Sequence, residues 1–176
     1  MSERDTTGPL PTGAIQQLRL DLAFRRAVEQ VLDDLVRAAG ATVALLGKNT
    51  AMRESQIRNV VDLAVATDSL LVVSNFVRYQ MGRSGSKPWI DNGFGDRIVA
   101  EIEDPKRTVY KLADRVSDQV CRDIGESDKK QILGLARLRL VRLFLGYLNR
   151  WFYYASRTKE GWDDVERFVR QEAAHV

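Results

Sequence analysis

Apolar residues recur at helical spacing over most of the chain, and nowhere do apolar and polar residues alternate for long enough to make a strand. From Ala14 to Ala39, Ile15, Leu18, Leu22, Val28, Val31, Leu32 and Leu35 mark one long helix, with Gly40 as its stop. Ala41 to Leu46 is a short apolar run that reads equally as a brief helix or a buried connector, and Thr50 is placed to cap the next helix. Residues 51–81 are helical, with a restart at Thr67-Asp68-Ser69, and Gly82 ends them. RSGSKPWIDNGFG is the one long Gly/Ser/Pro-rich interior stretch; two large aromatics within it predict an ordered loop.

A short helix is expected over Asp96 to Glu103. Asp104-Pro105 reads as an N-cap with proline at N1 for another helix, which runs to Ile124 and stops at Gly125. Ser127 or Asp128 caps the strongest helix, about 128–156, which lacks proline and carries a continuous apolar face. A last amphipathic segment runs from Trp162 to about Ala173. These elements predict an all-α fold, a single bundle of six or seven helices over residues 13–176, preceded by a flexible tail over 1–12 in which prolines, threonines and glycines leave little to bury.

Composition narrows the chemistry. With 176 residues and 44% hydrophobic content, the chain is long enough for one sizeable core. No run of about 18 apolar residues occurs and the first residues lack the basic and apolar regions of a secretory signal, so the expectation is a cytoplasmic protein that does not span a membrane. Cys121 is the sole cysteine and His175 the sole histidine, which leaves no disulfide framework and no Cys/His zinc site. GKNT at 47–50 lacks the glycine spacing of a phosphate loop, and the acid pairs Asp33-Asp34 and Asp163-Asp164 lack a clustered third ligand. No metal, no cofactor and no enzymatic activity are expected.

The net charge is only +3, but its distribution is uneven: from Lys129 through Lys159 there are eight Lys or Arg and no Asp or Glu. At about 100° per residue, Arg139, Arg142, Gly146, Arg150, Tyr153 and Arg157 fall on one face of the late helix, opposite the apolar stripe of Leu140, Phe144, Leu148 and Phe152. Such a ladder suits phosphate oxygens, its glycine admits a close backbone approach, and its tyrosine adds a stacking surface. The alternative is a solvated face, against which stands the absence of interleaved acids. A second cluster comprises QIRN at 56–59 and RYQMGR at 78–83, followed by Lys87 and Trp89; for Arg78 and Arg83 the competing reading is helix C-terminal capping. Trp89 and Phe94 read either as assembly anchors or as aromatics closing the chain's own core.

Three stretches together resemble the helical small subunit of type III CRISPR effector complexes, particularly the III-D arrangement. They are Ser55-Gln56-Ile57-Arg58-Asn59, Phe76-Val77-Arg78-Tyr79-Gln80-Met81-Gly82-Arg83, and Arg139 through Arg150 with Tyr153. The resemblance covers about residues 50–157. It implies a non-catalytic all-α subunit that stacks in several copies beside the guide-binding backbone and large subunits, holding target RNA paired with guide RNA. Arg58, Arg78, Arg83, Arg139, Arg142 and Arg150 are the RNA-binding positions it carries over. Lys87, Tyr153 and Arg157 join them as candidates for RNA contact, and Trp89 and Phe94 as candidates for subunit contact. The rival expectation is a protein-only helical adaptor or regulator whose basic stripe docks an acidic partner.

Overall fold

The computed structural model describes residues 12–125 and 128–173. Apart from Thr12, which opens the first helix, the expected tail lies outside them, as do Ser127 and His175. Among the described residues all regular structure is helical: α1 (Thr12–Glu29), α2 (Leu32–Ala44), α3 (Glu54–Ala66), α4 (Leu70–Gly82), α5 (Lys87–Ile90), α6 (Phe94–Glu103), α7 (Thr108–Ile124), α8 (Lys129–Arg157) and α9 (Gly161–Ala173), with a 3-10 turn at Asp91–Gly93 between α5 and α6. The all-α bundle expected from the periodicity is therefore the fold.

α8 is its axis. Its 29 residues span roughly 43 Å at 1.5 Å per residue, and α2, α3, α6, α7 and α9 all pack on it. Leu140, Phe144, Leu148 and Phe152 form its buried stripe, in one core with Leu35 and Val43 of α2 and Ala113 and Val120 of α7. Asp128 starts the helix as expected, its side chain accepting the Gln131 N–H at 3.1 Å. Gly125, at φ +71°, ends α7 before it.

The long first helix is in fact two. The chain turns at Gln30 and Val31, where Val31 takes φ −117° and ψ 2°, so that α1 lies on α7 while α2 lies on α8 and α9. Val28, Val31 and Leu35 are buried on both sides of the break, so the apolar period runs through it without a local signal. Gly40 is not a stop but a buried residue inside α2, pressed by two rings: a Cβ there would lie 3.2 Å from Phe168 Cε1 and 3.3 Å from Trp151 Cε2. α2 continues to Ala44, so that much of the apolar run from Ala41 to Leu46 is helix. The turn into α3 ends at Arg53, whose N–H is taken by the Gln56 side chain at 2.9 Å. Thr50 caps the turn and not the helix, accepting the Met52 N–H at 3.1 Å.

The restart at 67–69 is present: α3 closes at Thr67 and α4 opens after Ser69, with the Thr67 hydroxyl accepting the Ser69 N–H at 3.1 Å. The Gly/Ser-rich stretch is ordered, but it is mostly helical and not a loop. Pro88 sits in the first turn of α5, the Asn92 amide donates to the Leu45 carbonyl at 2.8 Å, and Trp89 meets Phe94 with ring centroids 5.6 Å apart. Both rings are core residues, at 1% and 0% exposure. The start of α7 also moves. Asp104 closes a turn through its carboxylate on the Lys106 N–H at 2.9 Å, and the helix begins at Thr108. Glu101, fully buried on α6, accepts the Val109 N–H at 2.9 Å and the Arg97 Nε–H at 2.8 Å, fastening α6 to the first turn of α7.

Candidate nucleic-acid interface

α3 runs antiparallel to the second half of α8 and is pinned to it at both ends by arginines of the expected ladder. At one end Arg157 bridges to Glu54 Oε2 at 3.1 Å, and Glu54 also holds Arg58, one turn along α3. At the other end Arg142 donates from Nε to the Ala64 carbonyl at 2.8 Å and from Nη2 to the Thr67 carbonyl at 3.0 Å and Asp68 Oδ1 at 2.8 Å. A cation at the carbonyl end of a helix satisfies groups that have no partner within it and meets the negative end of its dipole. Arg142 is thus half-buried and committed to α3, which corrects its assignment as a free rung for phosphate.

The basic segment is paired elsewhere too. Lys129 bridges Asp114 and Asp118 of α7 at 2.9 and 2.8 Å, and hydrogen bonds to Asp118 and then Asp114 raise its pKa. Arg137 donates to the Ile102 carbonyl at the end of α6 at 2.9 Å and covers the Tyr110 ring at 4.4 Å. Acids absent from α8 itself are therefore supplied by neighbouring helices, and a lack of interleaved acids is no measure of how many cations stay unpaired. Among the described residues, Lys130, Arg137, Arg139, Arg150 and Lys159 of this segment have no carboxylate within salt-bridge distance, Arg137 being held by a carbonyl and a ring instead.

The surface that remains is the outer face of α8 from Arg139 to Arg157. Two of its guanidiniums lie on rings: Arg150 is 5.3 Å from the centroid of Tyr147, and Arg157 is 5.4 Å from that of Tyr153. Arg157 lies seven residues beyond Arg150 and Tyr153 six beyond Tyr147, about 9 to 10 Å along the axis, and Arg139 lies about 16 Å before Arg150. Tyr153 is 49% exposed. A guanidinium stacked on a ring keeps its N–H edge available to anions; Arg150 has no carboxylate within salt-bridge distance among the described residues, whereas Arg157 gives part of its edge to Glu54 and stays exposed beyond it. Around Gly146, between Arg139 and Arg150, an added Cβ would meet nothing within 4 Å. Tyr147 extends the face beyond the expected residues; it lies at the edge of the apolar stripe, to which periodicity alone assigns it. Arg53, exposed at the head of α3 beside Glu54, is a further cation that the sequence pattern does not single out.

Arg78, Arg83 and Lys87 do not join this face. They sit on the edge made by α4 and α5, elements that pack on α6. Arg78 is locked to Glu103 by two bonds of 2.8 and 2.6 Å. Hydrogen bonds from Arg78 and then Ser74 hold the Glu103 carboxyl at a pKa of about 2. Arg83 donates to the Gln80 side chain at 3.3 Å, and Lys87 is exposed at the start of α5. Trp89 and Phe94 are buried against each other and present no surface to another subunit, which corrects the expectation that they anchor an assembly contact.

Among the described residues no group of three or more His, Cys, Asp or Glu is placed to hold a metal ion, and no helix is long and apolar enough to cross a membrane. No family model, no curated protein and no solved structure matches the chain.

Proposed function

We propose that the chain is a non-catalytic RNA-binding subunit that holds a strand along the outer face of α8. The observation that carries this reading is the run of Arg139, Arg150 on Tyr147, and Arg157 on Tyr153, where exposed cations alternate with aromatic rings, the combination that takes phosphates and unstacked bases together. The resemblance of residues 50–157 to the small subunit of type III CRISPR effector complexes extends the reading. On it, the bound RNA is the paired guide and target, and the neighbours are the backbone and large subunits and further copies of the same chain.

The test is a salt titration of binding to single-stranded RNA and to a guide-target duplex. Phosphate contacts give a log-linear loss of affinity with salt, and Arg139→Ala with Arg150→Ala should lower its slope by about 1 to 2. Absence of binding at low salt, or a slope indifferent to both substitutions, contradicts the reading. Co-purification of the chain with a defined small RNA would bear on the CRISPR assignment.

One observation favours a second reading, in which the face docks an acidic protein. Arg142 and Arg157 already meet carboxylates within the chain, so the chemistry this face uses on itself is arginine to carboxylate. On that reading an acidic partner binds and RNA does not.

A further inference from the structure

Helix α4 is apolar on both of its faces. Val73, Ser74, Val77 and Gln80 are buried toward the body of the bundle, while the opposite face carries Leu71, Val72, Asn75, Phe76 and Tyr79. Leu71, at 72%, is the most exposed large apolar side chain among the described residues, and Tyr79 is 59% exposed. Phe76 is half-buried and lies 6.2 Å from Tyr79 between ring centroids. Steps of four and three residues put Val72, Phe76 and Tyr79 in one row, the pattern by which a helix meets another helix. Single apolar residues on a surface need no explanation, but a row of them flanked by Leu71 marks an interaction site.

The two ends of the row carry opposite charges. Asp68 lies eight residues before Phe76 and Arg83 seven after it, each about 10 to 12 Å away along the axis. Asp68 meets Arg142 at 2.8 Å, yet its side chain stays 89% exposed. It therefore has room for a second guanidinium, just as Glu54 takes both Arg58 and Arg157. Arg83 is exposed and donates to the neutral Gln80 side chain at 3.3 Å. An apolar row with an acid at its N-terminal end and a base at its C-terminal end is complementary to its own copy in the antiparallel orientation. Turned end for end about Phe76, Asp68 meets the partner's Arg83, Val72 meets the partner's Tyr79, and the two helix dipoles oppose. A parallel pair would set Asp68 beside Asp68 and Arg83 beside Arg83.

We propose that the outer face of α4 is the interface of a twofold dimer, its partner a second copy of this chain with α4 laid antiparallel on the first. Because both copies use the same patch, the contact closes at two and does not extend into a stack. Thirteen residues of helix, against the roughly 20 to 30 residues a side of a standard interface, make the pair a weak one that fills at micromolar concentrations. The proposal is independent of the α8 reading, with which it shares no residue.

Sedimentation equilibrium of the full chain over about 10 to 500 µM tests it, and the expected result is a reversible monomer–dimer equilibrium. Leu71→Gln with Tyr79→Gln should weaken the dimer by about tenfold or more while leaving the melting temperature of the dilute chain unchanged, since both side chains are exposed. Arg83→Glu should weaken it as well, by setting two carboxylates against each other, and Arg139→Ala with Arg150→Ala should leave it as it was. Cross-linking fixes the orientation. In a Cys121→Ser background, Asn75→Cys sets the two thiols about 3 Å apart along the axis of an antiparallel pair, and Gly82→Cys sets them about 18 Å apart. Mild oxidation should therefore give a covalent dimer from the Asn75→Cys chain and none from the Gly82→Cys chain. Four results overturn the proposal: a monomer at every concentration, species that grow beyond two copies, affinity indifferent to the Leu71 and Tyr79 substitutions or to Arg83→Glu, or a covalent dimer from the Gly82→Cys chain.

Discussion

Arg142 and Asp68 face each other at 2.8 Å across the junction of α8 with the α3–α4 turn, and the same guanidinium holds the carbonyls that end α3. A residue placed by periodicity on the outward ladder is therefore a structural clamp. Arg142→Ala should destabilise the chain by about 1 to 3 kcal/mol, because it strands partly buried carbonyls as well as removing charge-assisted bonds. Arg139→Ala and Arg150→Ala, which break no such bonds, should each stay within about 0.5 kcal/mol. Denaturant unfolding of the three single variants separates them.

Trp89→Ala should cost about 3 to 5 kcal/mol, the range for truncating a large buried aromatic. The ring is buried against Phe94, so the loss belongs to the isolated chain. A variant that melts like the wild type would restore Trp89 as a candidate for a contact made with something else.

Acid titration should expose the Arg78–Glu103 pair. Folding lowers the Glu103 carboxyl from 4.5 to about 2, so the unfolded chain takes up a proton first as pH falls. The stabilisation is complete above pH 4.5 and is lost between there and about pH 2. Arg78→Ala should flatten the dependence of melting temperature on pH across that window and leave its shape above pH 5 unchanged. An identical acid limb in both proteins would rule the pair out as its source.

On the RNA reading, affinity should discriminate poorly among sequences, since arginines on rings offer phosphate contact and stacking but few bonds to base edges. Dissociation constants for several unrelated strands at one salt concentration should lie close together. A marked preference for one short motif would mean that base edges are read.

Helix α8 and its two faces were legible because its apolar stripe is continuous, proline is absent from it and Asp128 caps its start. The break between α1 and α2 was not, since Val28, Val31 and Leu35 stay in phase through it. The choice of separate packing partners for the two halves is a tertiary one. Likewise Gly40 read as a stop because sequence shows a glycine but not the rings of Phe168 and Trp151 pressed on it. The α5 segment hid behind its glycines and serines although Pro88 in its first turn was a visible start signal. For the candidate site, the face was legible and its occupancy was not. Glu54 and Asp68 lie far from α8 in the chain, Asp114 and Asp118 lie on the helix before it, and only the packing brings them to its lysines and arginines.

On the RNA reading, the open space at Gly146 sets stability against affinity. A glycine inside a helix costs about 0.5 to 1 kcal/mol relative to alanine, and within 4 Å of this one no neighbouring atom would meet a Cβ, so no internal contact offsets that cost. Gly146→Ala should therefore raise the melting temperature of the free protein. The same methyl would stand between Arg139 and Arg150 on the surface assigned to the strand, so a backbone that lies close there is pushed outward and held less tightly. One substitution with opposite signs in the two measurements would locate the strand to within a single turn of α8; a gain in stability with unchanged affinity would place it off that line.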